Sequence, residues 1–225
     1  MSLAHQTWGG VPGYRPDVIF HKGVTFDLLH AEIHDKKTEH TVKYDLDLTG
    51  HYQLKNLLGV LNILEFIAKA GFLIEPENVT AALKQVTKLT GLQGRWQKLG
   101  DKPLIIADTG HNEDGIKQVI ENIKSIEHKD LHFVFGTVND KDISMILPLL
   151  PKEAHYYFVK ANIPRALDEH ELQAKASKLK LQGKAYATVE AGLNAAKKAA
   201  KKSDLIFIGG STFVVGDALA IFKED

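Results

Sequence analysis

Asp108, His111 and Asn112 follow directly on the apolar residues Leu104, Ile105, Ile106 and Ala107, in the stretch K-P-L-I-I-A-D-T-G-H-N of residues 102–112. A carboxylate placed there can take ribose hydroxyls or a metal-linked water, and an imidazole beside a helix start can face phosphate. The same residues also suit a plain capped turn, in which Asp or Asn caps, Gly110 turns the chain and His111 is incidental. Gly209-Gly210-Ser211-Thr212, after the apolar residues 205–208, is a second junction of this kind. It reads as a small anion site for phosphate or carboxylate, or as a tight turn with an N-cap. Residues 136–142 follow a third apolar run, again as a loop with capping residues. Arg95, in G-L-Q-G-R-W, has the chemistry to reach a phosphate across a cleft, although a lone arginine is usually a surface residue; Arg165, in N-I-P-R, can fork onto a substrate carboxylate or equally be plain surface.

These residues need elements to hold them. Residues 104–107 show no polar alternation, so they read as a strand buried on both faces, while Ile116, Val119, Ile120 and Ile123 repeat at helical spacing. Further strands are expected at residues 131–135, 155–159, 185–187 and 205–208, and helices at 114–126, 143–150, 169–179, 189–200 and 215–222. Five β-α units in succession predict an α/β fold with a mostly parallel, doubly wound sheet, whose ligands bind outside the carboxyl ends of the strands. Upstream, residues 18–20, 24–33 and 41–48 read as an antiparallel meander, Val42, Tyr44, Leu46 and Leu48 alternating with polar residues. A helix with an apolar face of Leu54, Leu57, Leu58, Leu61, Leu64 and Ala68 ends at Gly71, and Pro76 opens a second through Val79, Leu83 and Val86. Residues 87–94, with two glycines, read as a hinge, dividing the chain into residues 1–90 and 91–225.

Bulk composition narrows the partners. Over 225 residues, Lys plus Arg and Asp plus Glu number 28 each, so no overall basic field draws nucleic acid or an anionic membrane. The K-K-A-A-K-K run of residues 197–202 fits an alanine-rich helix with a solvated lysine face. The absence of cysteine excludes disulfides and thiolate metal sites and fits a cytoplasmic protein. No apolar run is long enough to span a bilayer, and the expectation is a soluble chain without a membrane partner. His30 and His34 are four apart but lie in a strand-like run without H-E-x-x-H order, which argues against a zinc site. No G-x-G-x-x-G opens a β-α unit, against a nicotinamide oxidoreductase, and no G-x-x-x-x-G-K-[ST] phosphate loop occurs.

Taken together and in order, the motifs resemble the C-terminal half of folylpolyglutamate synthase / dihydrofolate synthase, within the Mur ligase superfamily. Gly50-His51-Tyr52-Gln53-Leu54-Lys55-Asn56 is similar to the family's G-x-H/Y-Q-x-x-N, Gly94-Arg95 to its P-G-R, and residues 108–112 to its D-x-A-H-N-P. Asp140-Lys141-Asp142 is similar to its D-K-D, Pro164-Arg165-Ala166 to its P-R-A, and Gly210-Ser211 to its late G-S. Gln93, Gly110 and Glu113 depart from the pattern at turn positions. The resemblance implies an ATP-dependent amide ligase that joins glutamate to dihydropteroate or to folates through an acyl phosphate, with ATP and Mg2+. It implies Asn56 and Asp108 on the adenosine, Asp108 at the ribose, Arg95 on the phosphates, and His111 beside them as nucleotide-binding and catalytic residue. Arg165 and Ser211 are implied for the incoming glutamate.

The resemblance also implies that residues 1–90 are part of a central ATPase-type domain and residues 91–225 the glutamate-ligase domain. The phosphate loop and metal ligands would lie in a portion the sequence does not contain; residues 4–15, rich in Gly and Pro, enter as though cut from a longer chain. The chain alone is therefore expected to fold in its C-terminal part without catalysing ligation. The competing expectation is a non-catalytic nucleotide-binding regulatory module. Asp108→Ala and Arg95→Ala are expected to impair an intact ligase with little effect on folding. Oligomeric state and the choice between dihydropteroate and folate are not encoded in these motifs.

Overall fold

The computed structural model describes residues 17–19, 27–35, 40–139 and 143–224. The D-K-D segment at residues 140–142 and the Gly- and Pro-rich residues 4–15 lie outside them. Contacts divide the chain into two compact units, residues 1–93 and 94–225.

In the first unit β1 (Asp17–Ile19), β2 (Leu29–Asp35) and β3 (His40–Leu46) form an antiparallel sheet in that order. Period-two patterning sorts β2 by face: Leu29, Ala31 and Ile33 are buried together with Tyr44 and Leu46. His30 stands on the other face, its Nδ1 2.6 Å from Asp45 Oδ1. Bonds first from Lys84 and then from His30 hold the Asp45 carboxyl below its ordinary pKa. α1 (Gln53–Lys69) and α2 (Pro76–Leu83) complete this core with Leu54, Leu57, Val79 and Leu83. Burial of such aliphatic side chains stabilises by roughly 1.5–3 kcal/mol each. Two helices are expected here and three are found among the described residues. Val86 to Thr90, assigned partly to a hinge, is the short helix α3, anchored by Asp47, whose carboxylate accepts from Val86 N at 3.1 Å and Thr87 N at 2.9 Å. The chain leaves α3 through Gly91 at positive φ.

The second unit carries a six-stranded sheet. Its strands are β4 (Gln97–Asp101), β5 (Leu104–Asp108), β6 (Leu131–Phe135), β7 (His155–Val159), β8 (Gly183–Tyr186) and β9 (Leu205–Gly209), in the spatial order β4-β5-β9-β6-β7-β8. The five from β5 onward are parallel, as the β-α alternation predicts; β4 adds an antiparallel edge that the sequence reading omits. α4 (Glu113–Lys124) and α5 (Glu169–Ser177) bury their apolar residues on one face with Phe133, Phe135, Tyr156 and Phe207. α6 (Val189–Ala199) and α7 (Thr212–Glu224) cover the other, over Ile105, Ala107, Val134 and Ile208. β5, β6 and β9 are thus sandwiched between two apolar layers, which explains their unbroken apolar runs.

The helix expected at residues 143–150 is instead a set of turns ending in a 3-10 turn at Leu147–Leu149. Ile143, Ile146, Leu147 and Leu150 are buried as the helical spacing suggests, but Pro148 and Pro151 withhold the N–H groups a continuing α-helix needs. Among the described residues no helix is long and apolar enough to cross a membrane.

Candidate functional site

Asp108, Gly209 and Phe135, the last residues of β5, β9 and β6, lie level in the parallel register, so the loops that follow them rise from one edge. Along β5 that edge begins with a buried carboxylate, Asp108 being only 3% exposed. Its Oδ2 accepts from Trp96 N at 2.8 Å and its Oδ1 from Gly110 N at 2.7 Å. One acid therefore fixes both the turn after β5 and the segment preceding β4.

That segment carries Arg95. Thr109 N donates to Gly94 O at 2.9 Å, and Gly94 N donates to Gln97 Oε1 at 2.7 Å. Gly94 has φ +71°, and a Cβ there would lie 2.8 Å from Thr109 Cγ2 and 2.9 Å from Val215 Cγ1, so only glycine admits this approach. Arg95, exposed, is thereby held between an anchored glycine and the Trp96 N–H bound to Asp108. Arg95 and Asp108 are brought together through backbone, a link that spacing alone did not reveal.

His111 follows the turn, with Nδ1 2.9 Å from Thr109 O. A carbonyl only accepts, so Nδ1 carries the proton and, in the neutral ring, Nε2 keeps the lone pair. Asn112 Oδ1 accepts from Gly115 N at 2.8 Å as the N-cap of α4. Glu113 and Asp114 occupy the first turn of α4, where their charges already complement the helix dipole.

The start of α7 differs. No acid lies in its first turn, and buried Ser211 accepts from Phe213 N through Oγ at 3.2 Å. Arg165 places its guanidinium 4.9 Å from the centre of the Phe213 ring. Its backbone is tied to the loop after β6, since Asn139 N donates to Arg165 O at 2.9 Å and Val138 bridges Ala166. Gly210, at φ +91°, clears this junction: a Cβ there would run into the Phe135 ring. Two positive elements, an arginine and a helix start free of acids, thus share one spot, which favours an anion there over the start of α4. Asp168, which caps α5 after the same loop, is held below its ordinary pKa chiefly by the Glu171 N–H.

Among the described residues no group of three or more His, Asp or Glu side chains could hold a metal ion without oxygens from a ligand. For a nucleotide the fit is better: Arg95 is exposed, and the Thr109 and Thr137 hydroxyls at this edge are buried with no protein partner, leaving hydrogen-bonding capacity unused. Asn56 belongs to the first unit, on α1, where its Nδ2 donates to Gln53 Oε1 at 2.7 Å.

Two groupings escaped sequence reasoning. A cleft lies between the loop after β7, the start of α6 and the side of α7. At the amino end of the sheet His132, Tyr157 and Asp204 form a buried polar cluster, signalled in sequence only by a histidine interrupting L-H-F-V-F.

The second unit is thus a doubly wound α/β unit with glycine turns, two arginines and a buried acid at the carboxyl edge of its sheet. Residues 94–212, more than half of the chain, match the family described as Mur ligase, glutamate ligase domain, and the chain belongs to this family. It is 29% identical over 181 residues to a probable bifunctional folylpolyglutamate synthase/dihydropteroate synthase of Haloferax volcanii, covering 79% of this chain and 20% of that protein. It is 26% identical over 215 residues to a UDP-N-acetylmuramoyl-L-alanyl-D-glutamate--2,6-diaminopimelate ligase of Caldanaerobacter subterraneus, covering 90% of this chain and 41% of the relative. The fold matches that of Mycobacterium tuberculosis folylpolyglutamate synthase complexed with ADP and AMPPCP, with a TM-score of 0.75 at 20% identity over 92% of this chain and 48% of the other. The chain thus spans less than half the length of each of these relatives.

Proposed function

We propose that the chain supplies the C-terminal part of an ATP-dependent acid–amino-acid ligase that adds glutamate to dihydropteroate, to folates, or to both. The observation that carries this reading is the pairing of two positive centres on one sheet edge: Arg95, fixed through Trp96 to Asp108, and Arg165, fixed beside Ser211 at the start of α7.

In the proposed reaction a substrate carboxylate oxygen attacks the γ-phosphorus of ATP and ADP departs. The amine of glutamate then attacks the acyl carbon, the C–O bond to phosphate breaks, and the nitrogen loses a proton as the amide forms. ATP supplies the phosphoryl group; Mg2+ would be held outside the described residues. Arg95 neutralises charge spread over the phosphate oxygens. Asp108 is assigned to the ribose hydroxyls, and Asn56 to the adenosine. His111 presents Nε2 at the α4 start, able to take the proton released at nitrogen. Arg165 and Ser211 bind a carboxylate of the incoming glutamate. Residues 1–90 are read as part of a central ATPase-type domain, and a cytoplasmic location fits this chemistry.

The test uses the 225-residue chain alone and a full-length ligase containing this sequence. Glutamate incorporation dependent on ATP and folate is expected only in the full-length enzyme, where Arg95→Ala lowers kcat/KM by about 100-fold, the size expected when one donor to the transferring phosphoryl group is lost. Turnover by the 225-residue chain near that of the full-length enzyme would overturn the expectation that it is inactive alone. ADP binding without ligation even in the full-length protein would favour a regulatory module.

A further inference from the structure

Arg95 is an exposed residue between two buried ones, and both neighbours have a left-handed backbone: Gly94 at φ +71° and Trp96 at φ +51°. Glycine adopts that conformation readily. For tryptophan it brings Cβ close to the following carbonyl oxygen, and the left-handed basin is disfavoured by about 10-fold. Among the described residues the one other non-glycine residue at positive φ is Lys180, which stands in an exposed turn. Trp96, unlike Lys180, is held from two sides. Its N–H donates to Asp108 Oδ2 at 2.8 Å. The residue is 7% exposed, its indole packed with Ile106 and centred 5.8 Å from the Phe207 ring.

The β4–β5 ladder shows what the strained residue achieves. Its last pair is Gln97 opposite Ala107, so a regular strand would carry Trp96 on toward Asp108 as one more ladder position. Because φ is the rotation about N–Cα, everything on the N-terminal side turns with it. An extended φ at Trp96 would swing Arg95 by roughly half a turn and carry the Trp96 N–H off the carboxylate. Backbone in a sparsely populated region persists only where its surroundings over-determine it, and such residues gather at functional sites. We infer that Trp96 is a positioning residue for Arg95: its buried ring and its bond to Asp108 hold a left-handed backbone that sets the direction in which the guanidinium leaves the sheet edge. What Arg95 meets there, a phosphate, rests on the ligase reading; how Arg95 is aimed rests on the backbone of Trp96.

The test separates backbone conformation from packing. Trp96→Gly and Trp96→Ala remove the same ring, but glycine takes φ +51° without strain and alanine does not. In a full-length ligase containing this sequence, kcat/KM for ATP is expected to be about 10-fold lower in Trp96→Ala than in Trp96→Gly, the size of the left-handed penalty. A packing role alone predicts no difference or the reverse order, because glycine is the more destabilising of the two in ordinary backbone. In an Arg95→Ala background the difference is expected to vanish, since residues that act through one group are not additive. Where a small variant fails to fold, Trp96→Asn, which tolerates positive φ, and Trp96→Leu, which refills the core without that tolerance, give the same comparison, with Asn above Leu. Ala at or above Gly, Leu at or above Asn, or a difference that survives in the Arg95→Ala background overturns the inference. Amide hydrogen exchange in the 225-residue chain gives a readout without turnover. The residue-96 N–H is expected to exchange about 10-fold faster in Trp96→Ala than in Trp96→Gly, and equal rates overturn the inference too. Should the full-length protein bind ADP without ligating, the same ranking in ADP affinity would support the aiming of Arg95 while removing the ligase reading.

Discussion

At the carboxyl end of the six-stranded sheet polar groups stand on turns that reach solvent, with Arg95 and Arg165 exposed and glycines clearing space around them. At the amino end the polar groups are closed in: His132 is 4% exposed and Asp204 3%. There His132 Nδ1 lies 2.9 Å from the Tyr157 hydroxyl and Nε2 3.5 Å from Asp204 Oδ2, so a neutral ring accepts from one neighbour while donating to the other. Asp204 also accepts from Lys201 N at 2.6 Å and from Asp130 N at 3.4 Å. Burial works to raise the Asp204 pKa, but these bonds and that of His132 outweigh it and hold the carboxyl low. The same strands thus end in two kinds of polar chemistry, one internally satisfied and one partly unspent. Burial alone does not draw that difference, because Asp108 is as buried as Asp204.

Asp204→Ala tests the contrast most severely. It strips partners from two backbone N–H groups and from His132 and is expected to cost about 3 kcal/mol of stability in urea denaturation. A loss near zero would mean the amino end is not a structural tie. Asp108→Ala comes next: the N–H groups of Trp96 and Gly110 lose their acceptor, for a cost of about 2 kcal/mol by the same measurement, in addition to weaker nucleotide binding. This cost is larger than the little effect on folding expected from the sequence, because the carboxylate is tied to the backbone on both sides. Ser211→Ala, removing the acceptor for Phe213 N, is expected to cost about 1 kcal/mol by thermal melting. Unchanged glutamate KM in the full-length ligase carrying this variant would reduce Ser211 to a helix cap.

The smallest effect is in pH. Burial, aided by nearby His155 and offset in part by Asp204, holds the His132 pKa below its ordinary value. The unfolded chain, with an ordinary histidine pKa of about 6.5, then takes up the proton first, so the stability from neutral His132 is complete above that pH and is lost as pH falls through the folded value. Stability curves between neutral and mildly acid pH are expected to fall more steeply for the native chain than for His132→Asn; parallel curves would show that the cluster does not hold the ring neutral.

Much of the parallel sheet was legible because β5, β6 and β9 are buried on both faces and leave continuous apolar runs. β4 was not, since Gln97, Lys98 and Gly100 give no alternation and the ladder shifts register between Lys98 and Gly100. The turn residues of the candidate site, Asp108, Gly110, Asn112 and Ser211, were visible from their types at strand ends. The bonds from Trp96 and Gly94 were not, because backbone donors leave no mark in a sequence. Lys160 and Asp217, which line the cleft beside α6, are 57 positions apart, so no local pattern in the sequence announces it.

The pairing of β4 with β5 has a mechanical consequence. Arg95 stands two residues before one strand of this ladder and Asp108 closes the other, so the backbone beneath Arg95 is tied to that carboxylate. Any shift of the backbone that carries Arg95 must carry the carboxylate with it, as two teeth of one comb.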